Sequence, residues 1–447
     1  MSRNLYKNSF IATPSLKLSM SSNSKSFSLL LILILAVSGL TAIFATIPFE
    51  LAQTGTNVTG ILSSNTTWTQ GNSPYTLTGP ILVSGGVVLT IQAGTMVNLG
   101  NYYIEVDGTL QAIGSSLNPI TFNSPYSGQI NFTQYSSSWN QQMQTGCVIE
   151  NAVLTCSINI YQVSPLISKN QFSYPMGLFT FAGGPGVSVY GGSPLILNNT
   201  SNSYFDVYDE GLALISNNTL SGEYAGIGCF SQNSEVIDNT LSGCGLAIGF
   251  GGPGIVSSGT VEGNLIYQNQ VGIYVDSGQA VIENNTIANN TIGIQLPSAS
   301  STIIYNNLLN NQLSISLINT GTNTLQSNNI NPTYNYWGTT DTQAINQTIF
   351  DFKDNFNLGT VDFVPFLTTP NAQAPSLPTP TPTPSLSPSP SPTSAPTRTL
   401  ITQTTPTSTP TVPEFPALMI LPLFAVMILF LIVFARKRNS VNRNASD

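Results

Sequence analysis

The sequence has no histidine, and only 7% of its 447 residues are charged. Without imidazole a zinc site fails on ligand supply alone, and a copper-delivery role loses its commonest ligand. The four cysteines (Cys147, Cys156, Cys229, Cys244) show no CxxC spacing. Cys147/Cys156 and Cys229/Cys244 suit two disulfides in an external compartment. Packing as small hydrophobes is an equal alternative, because Cys229 occupies an inward slot of its strand. Basic residues are scarcer still. Between Glu50 and Val412, 17 acidic residues face three basic ones (Lys169, Lys353, Arg398), leaving this stretch at −14. Such a balance excludes nucleic acid and anionic polymers as partners.

Helical periodicity is missing from the middle of the chain, and a repeat stands in its place. Between residues 148 and 337 one phrase recurs: an aliphatic residue, two variable residues, an asparagine, one variable residue and usually another aliphatic. The asparagines are Asn151, Asn170, Asn199, Asn218, Asn239, Asn264, Asn285, Asn307 and Asn328, spaced 19 to 25 residues apart from Asn199 onward. A second phrase, small-apolar-variable-apolar, begins at Gly226, Gly245, Gly272, Gly293 and Ser314. Its period of two means strand.

A unit of two short strands cannot bury its own apolar face, but copies stacked about 4.8 Å apart pair with neighbours above and below. The expected fold is all-β, a parallel β-helix over residues 57–368. Its asparagines are expected to take the left-handed conformation at a fixed turn and to stack as a structural ladder.

The early strands Leu89-Thr-Ile-Gln-Ala-Gly-Thr95, Ile104-Glu-Val-Asp-Gly-Thr-Leu110 and Pro119-Ile-Thr-Phe122 resemble the opening coils of right-handed parallel β-helix proteins of the pectate-lyase-like superfamily. That superfamily holds lyases, hydrolases, binding proteins and scaffolds, so the resemblance implies a fold and no single activity. Tyr334-Asn-Tyr-Trp-Gly338 resembles the closing segment of extracellular β-helix repeat proteins. Trp337, Phe350, Phe352 and Phe363 are expected to cover the open apolar end. Between Gln129 and Pro194 the periodicity loosens, with glycine pairs suggesting loops of the kind that build a binding site on one face of a solenoid.

The flanks read as targeting and anchoring. Residues 1–26 form a positive n-region and residues 27–49 an uncharged apolar run, a signal peptide or an uncleaved anchor. Residues 369–412 are nearly all Pro, Thr and Ser, an extended, disordered stalk. Residues 413–438 combine Pro413-Glu414-Phe415, an apolar helix and a basic stop, ahead of a cytoplasmic tail at 439–447. This tail resembles the PEF-type sorting signal of archaeal surface proteins, which implies an archaeosortase-like processing enzyme as partner. Sequons at Asn57, Asn65, Asn131, Asn198, Asn199, Asn217, Asn284, Asn289 and Asn346 agree with an outside location.

Candidate chemistry is sparse. Aligning the strand phrases predicts one outward column of Asp206, Gly228, Ala247, Tyr274, Gln295 and Ser316. The densest polar cluster, Tyr204-Phe-Asp-Val-Tyr-Asp-Glu210, turns Tyr204, Asp206, Tyr208 and Glu210 outward if it is a strand. Tyrosines beside carboxylates suit a sugar ring, and the carboxylates suit Ca²⁺, the only cofactor that these residues suggest. Glu262 and Glu283 fall at matching positions of neighbouring coils, about 5 Å apart. That separation fits a retaining glycosidase pair or a Ca²⁺ site, and equally two exposed acids. A polyuronate lyase needs a basic residue, and the coils offer only Lys169 and no arginine. The expectation is a non-catalytic surface scaffold, anchored in the membrane, structural or adhesive, with extracellular glycans or surface-layer components as partners. The alternatives are a polysaccharide hydrolase and a β-helix accessory protein of a copper enzyme.

Overall fold

A computed structural model describes residues 55–125, 127–173, 186–201, 205–222, 225–252, 255–276, 278–296, 301–318 and 329–378. They form an all-β solenoid of the right-handed type with about 11 turns. Eleven strands, from Thr66–Trp68 to Thr302–Ile304, stack in parallel as a first sheet. The second sheet, of 23 strands, is folded into two limbs. One coil reads Ser257–Glu262 on the first sheet, Leu265–Tyr267 on the short limb and Val271–Val275 on the long limb, with tight turns between.

Inward positions are nearly all aliphatic or aromatic, which sets the register. On the long limb, Ile81, Ile104, Ile130, Ile158, Val187, Val207, Ile227, Ile248, Ile273, Ile294, Ile315 and Ile349 stand in one column. None is more than 3% exposed. Branching at Cβ suits the extended backbone, and each side chain packs on its own kind above and below. Burying one such side chain stabilises by about 1.5–3 kcal/mol, so the column alone is a large part of the fold's cohesion.

The turn from the first sheet to the short limb carries the ladder. Its members are Asn170, Asn199, Asn218, Asn239, Asn264, Asn285, Asn306 and Asn335. Each Oδ1 from Asn199 onward accepts both the backbone N–H and the Nδ2–H of the preceding member. Each Nδ2 also donates to a carbonyl of the preceding coil's first-sheet strand, as Asn239 does to Ile215 at 2.8 Å. The left-handed residue is not the ladder asparagine but the one before it: Lys169, Asn198, Asn217, Asp238, Gly263, Asn284 and Tyr305 have φ of 53–66°.

This offset corrects the expected membership. Asn151 is itself a left-handed residue (φ 52°), and Ala152 holds the ladder position in its coil, donating its N–H to Asn170 Oδ1. Asn307 lies one residue past the ladder, where Asn306 serves. The adjacent pair Ile303/Ile304 hid the register, since only Ile303 faces inward. Asn328 and Tyr204 lie outside the described residues, as do residues 1–54 and 379–447 with the targeting segment, most of the stalk, Pro413, Glu414, Phe415 and the apolar helix. Among the described residues no helix is long and apolar enough to cross a membrane.

A second ladder occupies the turn between the two limbs. Asn269 Nδ2 donates to Asn290 Oδ1 and Asn290 Nδ2 to Asn311 Oδ1, both at 3.0 Å, each behind a left-handed residue. The C-terminal end is closed by helix α1 (Thr342–Gln347), a strand at Ile349–Phe350 and Trp337, which meets Phe363 edge-on at 5.7 Å. Phe350 packs on the core, but Phe352 is 50% exposed and takes no part in the closure. The four cysteines are buried thiols within the core, the packing alternative and not the disulfide one. Burial pushes the Cys147 thiol up to about 11 and that of Cys156 to about 12.

Candidate functional site

The outward column of the long limb is Glu105, Asn131, Asn159, Ser188, Tyr208, Gly228, Gly249, Tyr274, Gln295 and Ser316. Tyr208 thus stands where Asp206 was expected and Gly249 where Ala247 was. Ala247 is fully buried, and Asp206 pairs with Gly226, one outward position earlier. Tyr208 donates its phenol proton to Glu210 Oε1. Desolvation and then this bond push its pKa up to about 12, so the pair is a neutral phenol on a carboxylate. Tyr274 repeats the arrangement with Asp276 at 2.9 Å.

Beside this column runs an aromatic one that the sequence did not reveal. Tyr161 stacks on Tyr190 with ring centroids 5.1 Å apart and planes 10° from parallel. Tyr190 meets Tyr208 at 6.0 Å, and Tyr208 stacks on Phe230 at 4.5 Å. The members come from consecutive coils, because the register places Tyr161 against Tyr190 and Ile160 against Phe132. One coil before Tyr161 the matching residue is therefore the small Thr133, so the stack stops there with one face of Tyr161 uncovered.

That face opens into a groove of about 600 Å³ lined by Glu105, Asn131, Thr133, Gln134, Tyr135, Tyr161, Gln162 and Tyr190. Tyr135 is 70% exposed and belongs to an excursion of the chain between strands Gln129–Phe132 and Val148–Glu150. Asn159 Nδ2 donates to Asn131 Oδ1 at 2.9 Å, which leaves Asn131 Nδ2 without a partner among the described residues. Desolvation, with Tyr190 and Glu105 adding to it, raises the Tyr161 pKa, so its hydroxyl keeps its proton. The groove thus offers an apolar ring face, amide donors and acceptors, and one carboxylate.

Glu262 and Glu283 stand elsewhere, on the first sheet, as register partners in adjacent strands and both half-buried. Glu262 Oε1 accepts from Asn284 Nδ2 at 3.4 Å. Ile237 and Ile304 flank the pair in the same column, so no third acid joins it. Among the described residues no three His, Cys, Asp or Glu groups come together to hold a metal ion. Lys169 is held by Glu150 at 2.6 Å and Lys353 by Asp351 at 3.2 Å, which ties down both lysines of the coils and their cap.

The fold defines a β-helix repeat protein. The pattern of residues 186–358 matches the family described as periplasmic copper-binding protein (NosD). No curated protein and no solved structure gives a match. The donor set does not fit copper: the chain has no histidine, and its thiols are buried with burial raising the pKa of Cys147, Cys156 and Cys229. A thiol that resists ionisation is a poor copper ligand, and the exposed thioethers among the described residues, Met96 and Met143, lie outside the matched stretch, which contains no methionine. The likeness therefore extends to the coil architecture.

Proposed function

We propose that this chain is an extracellular β-helix scaffold that binds neutral carbohydrate in the Tyr161 groove. The uncovered face of Tyr161, ringed by Asn131, Gln134, Gln162 and Glu105, carries the reading. A pyranose ring stacks its C–H face on an aromatic ring while amides and a carboxylate take its hydroxyls. The acidic solenoid favours uncharged sugars over uronates. Of Tyr204, Asp206, Tyr208 and Glu210, first considered as the sugar site, Tyr208 backs the groove through its contact with Tyr190 and is held by Glu210. Attachment to a membrane through residues 413–438, processing at Pro413-Glu414-Phe415 and an adhesive role belong to the same proposal and rest on the sequence alone.

The test is titration of the full chain with neutral oligosaccharides, followed by isothermal calorimetry. Tyr161→Ala removes the platform, and losing a ring contact worth roughly 1 kcal/mol weakens binding about fivefold to tenfold. Tyr274→Phe, remote on the same limb, leaves affinity unchanged. Equal binding by wild type and Tyr161→Ala would sink the groove assignment. Release of reducing sugar that disappears in Glu283→Gln would instead make the protein a hydrolase working at the Glu262/Glu283 pair.

A further inference from the structure

The tripeptide Asn-Asn-Thr occurs three times at the ladder turn, at residues 198–200, 217–219 and 284–286. In each the first asparagine is left-handed, with φ of 56°, 56° and 55°, and the second is a buried ladder member. Local backbone and local sequence are thus the same at three sites. Their surroundings differ. Asn198 and Thr200 are exposed, as are Asn217 and Thr219, whereas Asn284 is half-buried and Thr286 is 1% exposed.

The cover at the third site is the chain itself. After the C-terminal cap, residues 371–375 run back over the short limb, into the stretch that reads as the start of the stalk. Asn371 is clamped at every polar atom. Its N–H donates to Asn307 Oδ1 at 2.8 Å and its carbonyl accepts from Asn307 Nδ2 at 3.1 Å. Its Nδ2 donates to Asn284 Oδ1 at 2.9 Å and to the Tyr305 carbonyl at 2.6 Å, and its Oδ1 accepts from Gln373 N–H. The Thr286 hydroxyl donates to the Pro375 carbonyl, and Ala374 is buried.

The strap therefore holds the Asn284 amide oxygen and the Thr286 hydroxyl, while the Asn284 nitrogen donates to Glu262 Oε1 at 3.4 Å. N-linked transfer needs them free: the asparagine amide nitrogen displaces a lipid-linked phosphate from C1 of the first sugar, forming C–N, breaking C–O and giving up one amide proton, while the threonine hydroxyl helps to present the acceptor. We propose that Asn284 is an N-glycosylation acceptor whose occupancy and the docking of residues 369–378 exclude one another. An unmodified Asn284 holds the strap against the solenoid. A glycan there leaves it undocked and frees about ten residues, a reach of roughly 30 Å for an extended segment. This rests on the extracellular reading but not on the groove.

The experiment uses the full chain produced in an N-glycosylating host, with glycopeptide mass spectrometry at all three sites and hydrogen exchange across residues 369–378. Asn198 and Asn217 are expected to be occupied alike. Chains bare at Asn284 should show a protected strap and chains occupied there an unprotected one, while Asn371→Ala should raise Asn284 occupancy severalfold. Equal strap protection in the two glycoforms overturns the proposal. So does an Asn284 that stays bare in Asn371→Ala while Asn217 is occupied. Absence of glycan from all three sites overturns the extracellular assignment as well, with oligosaccharide binding by the Tyr161 groove left to stand or fall separately.

Discussion

The early and late coils solve one problem with different side chains. At the turn between the limbs, the late coils use amides: Cys244 N–H, Asn269 and Asn290 each donate to the next asparagine. The early coils use hydroxyls. Ser124 Oγ accepts from Gly128 N–H and donates to the Gly100 carbonyl, and Ser124 N–H donates to Thr155 Oγ1. The reason lies in turn length. Late turns between limbs are constant, from Tyr267 to Val271, Ala288 to Ile292 and Leu309 to Leu313, whereas early ones run from Asn98 to Tyr103, Asn123 to Gln129 and Leu154 to Ser157. A ladder needs the same atoms at the same height in every coil, and a hydroxyl on a rotatable stem does not. The family match at residues 186–358 coincides with the regular region.

Substitution tests this contrast most strongly at the ladder. Asn290→Ala removes the acceptor for Asn269 and the donor to the Ile266 carbonyl, both buried. Leaving two such groups unpaired costs about 2–6 kcal/mol. Thr155→Val, at the same turn in an early coil, should cost only about 1–2 kcal/mol, because it leaves one backbone N–H, that of Ser124, without its acceptor and otherwise loses only long donations to the Phe122 and Ser124 carbonyls at 3.4 and 3.3 Å. Chemical denaturation of the two variants measures the gap, and equal losses would erase the distinction between the halves.

The inward column predicts the opposite, since it does not change along the chain. Ile130→Ala and Ile273→Ala each leave a cavity in the same stack and should each cost about 2–5 kcal/mol, within about 1 kcal/mol of one another. A larger difference would show that the two halves are packed differently and not only turned differently.

A smaller effect concerns Asp209, fully buried in the late half, where it accepts from Gly211 N–H at 2.9 Å and Ser234 Oγ at 3.0 Å. Desolvation raises its pKa above the usual carboxylate range. An acid whose native pKa is raised binds its proton more tightly when folded, so stability falls as pH climbs from about 4 through that raised value. Asp209→Asn keeps the acceptor for Gly211 and carries no charge. Denaturation midpoints at acid and neutral pH should therefore favour the variant at neutral pH and converge in acid.

The fold was readable in the sequence because a stacked coil repeats its apolar alternation, and Gly272-Ile-Tyr-Val or Gly293-Ile-Gln-Leu states the inward and outward faces directly. Ladder membership was half readable. Doubled asparagines such as Asn284-Asn285 and Asn306-Asn307 leave the register open by one residue, and only the pairing decides it. The Tyr161 groove was not readable, since Tyr161, Tyr190 and Tyr208 lie 18 to 29 residues apart with no shared phrase and become neighbours only through the register. Asp209 was hidden for another reason: alternation marks it inward, but a carboxylate is not expected in a core until its turn partners are known.

The asparagine ladder also has a direction. Between rungs the donors all point one way: each rung gives its backbone N–H and an amide N–H to the oxygen of the next, as Asn239 does to Asn264, while its amide also reaches back to a carbonyl of the preceding coil. Asn335 ends the series: its amide donates to the carbonyls of Ile303, Pro332 and Thr333, and so to no further asparagine, which makes the closing rung a bond to the cap's own turn.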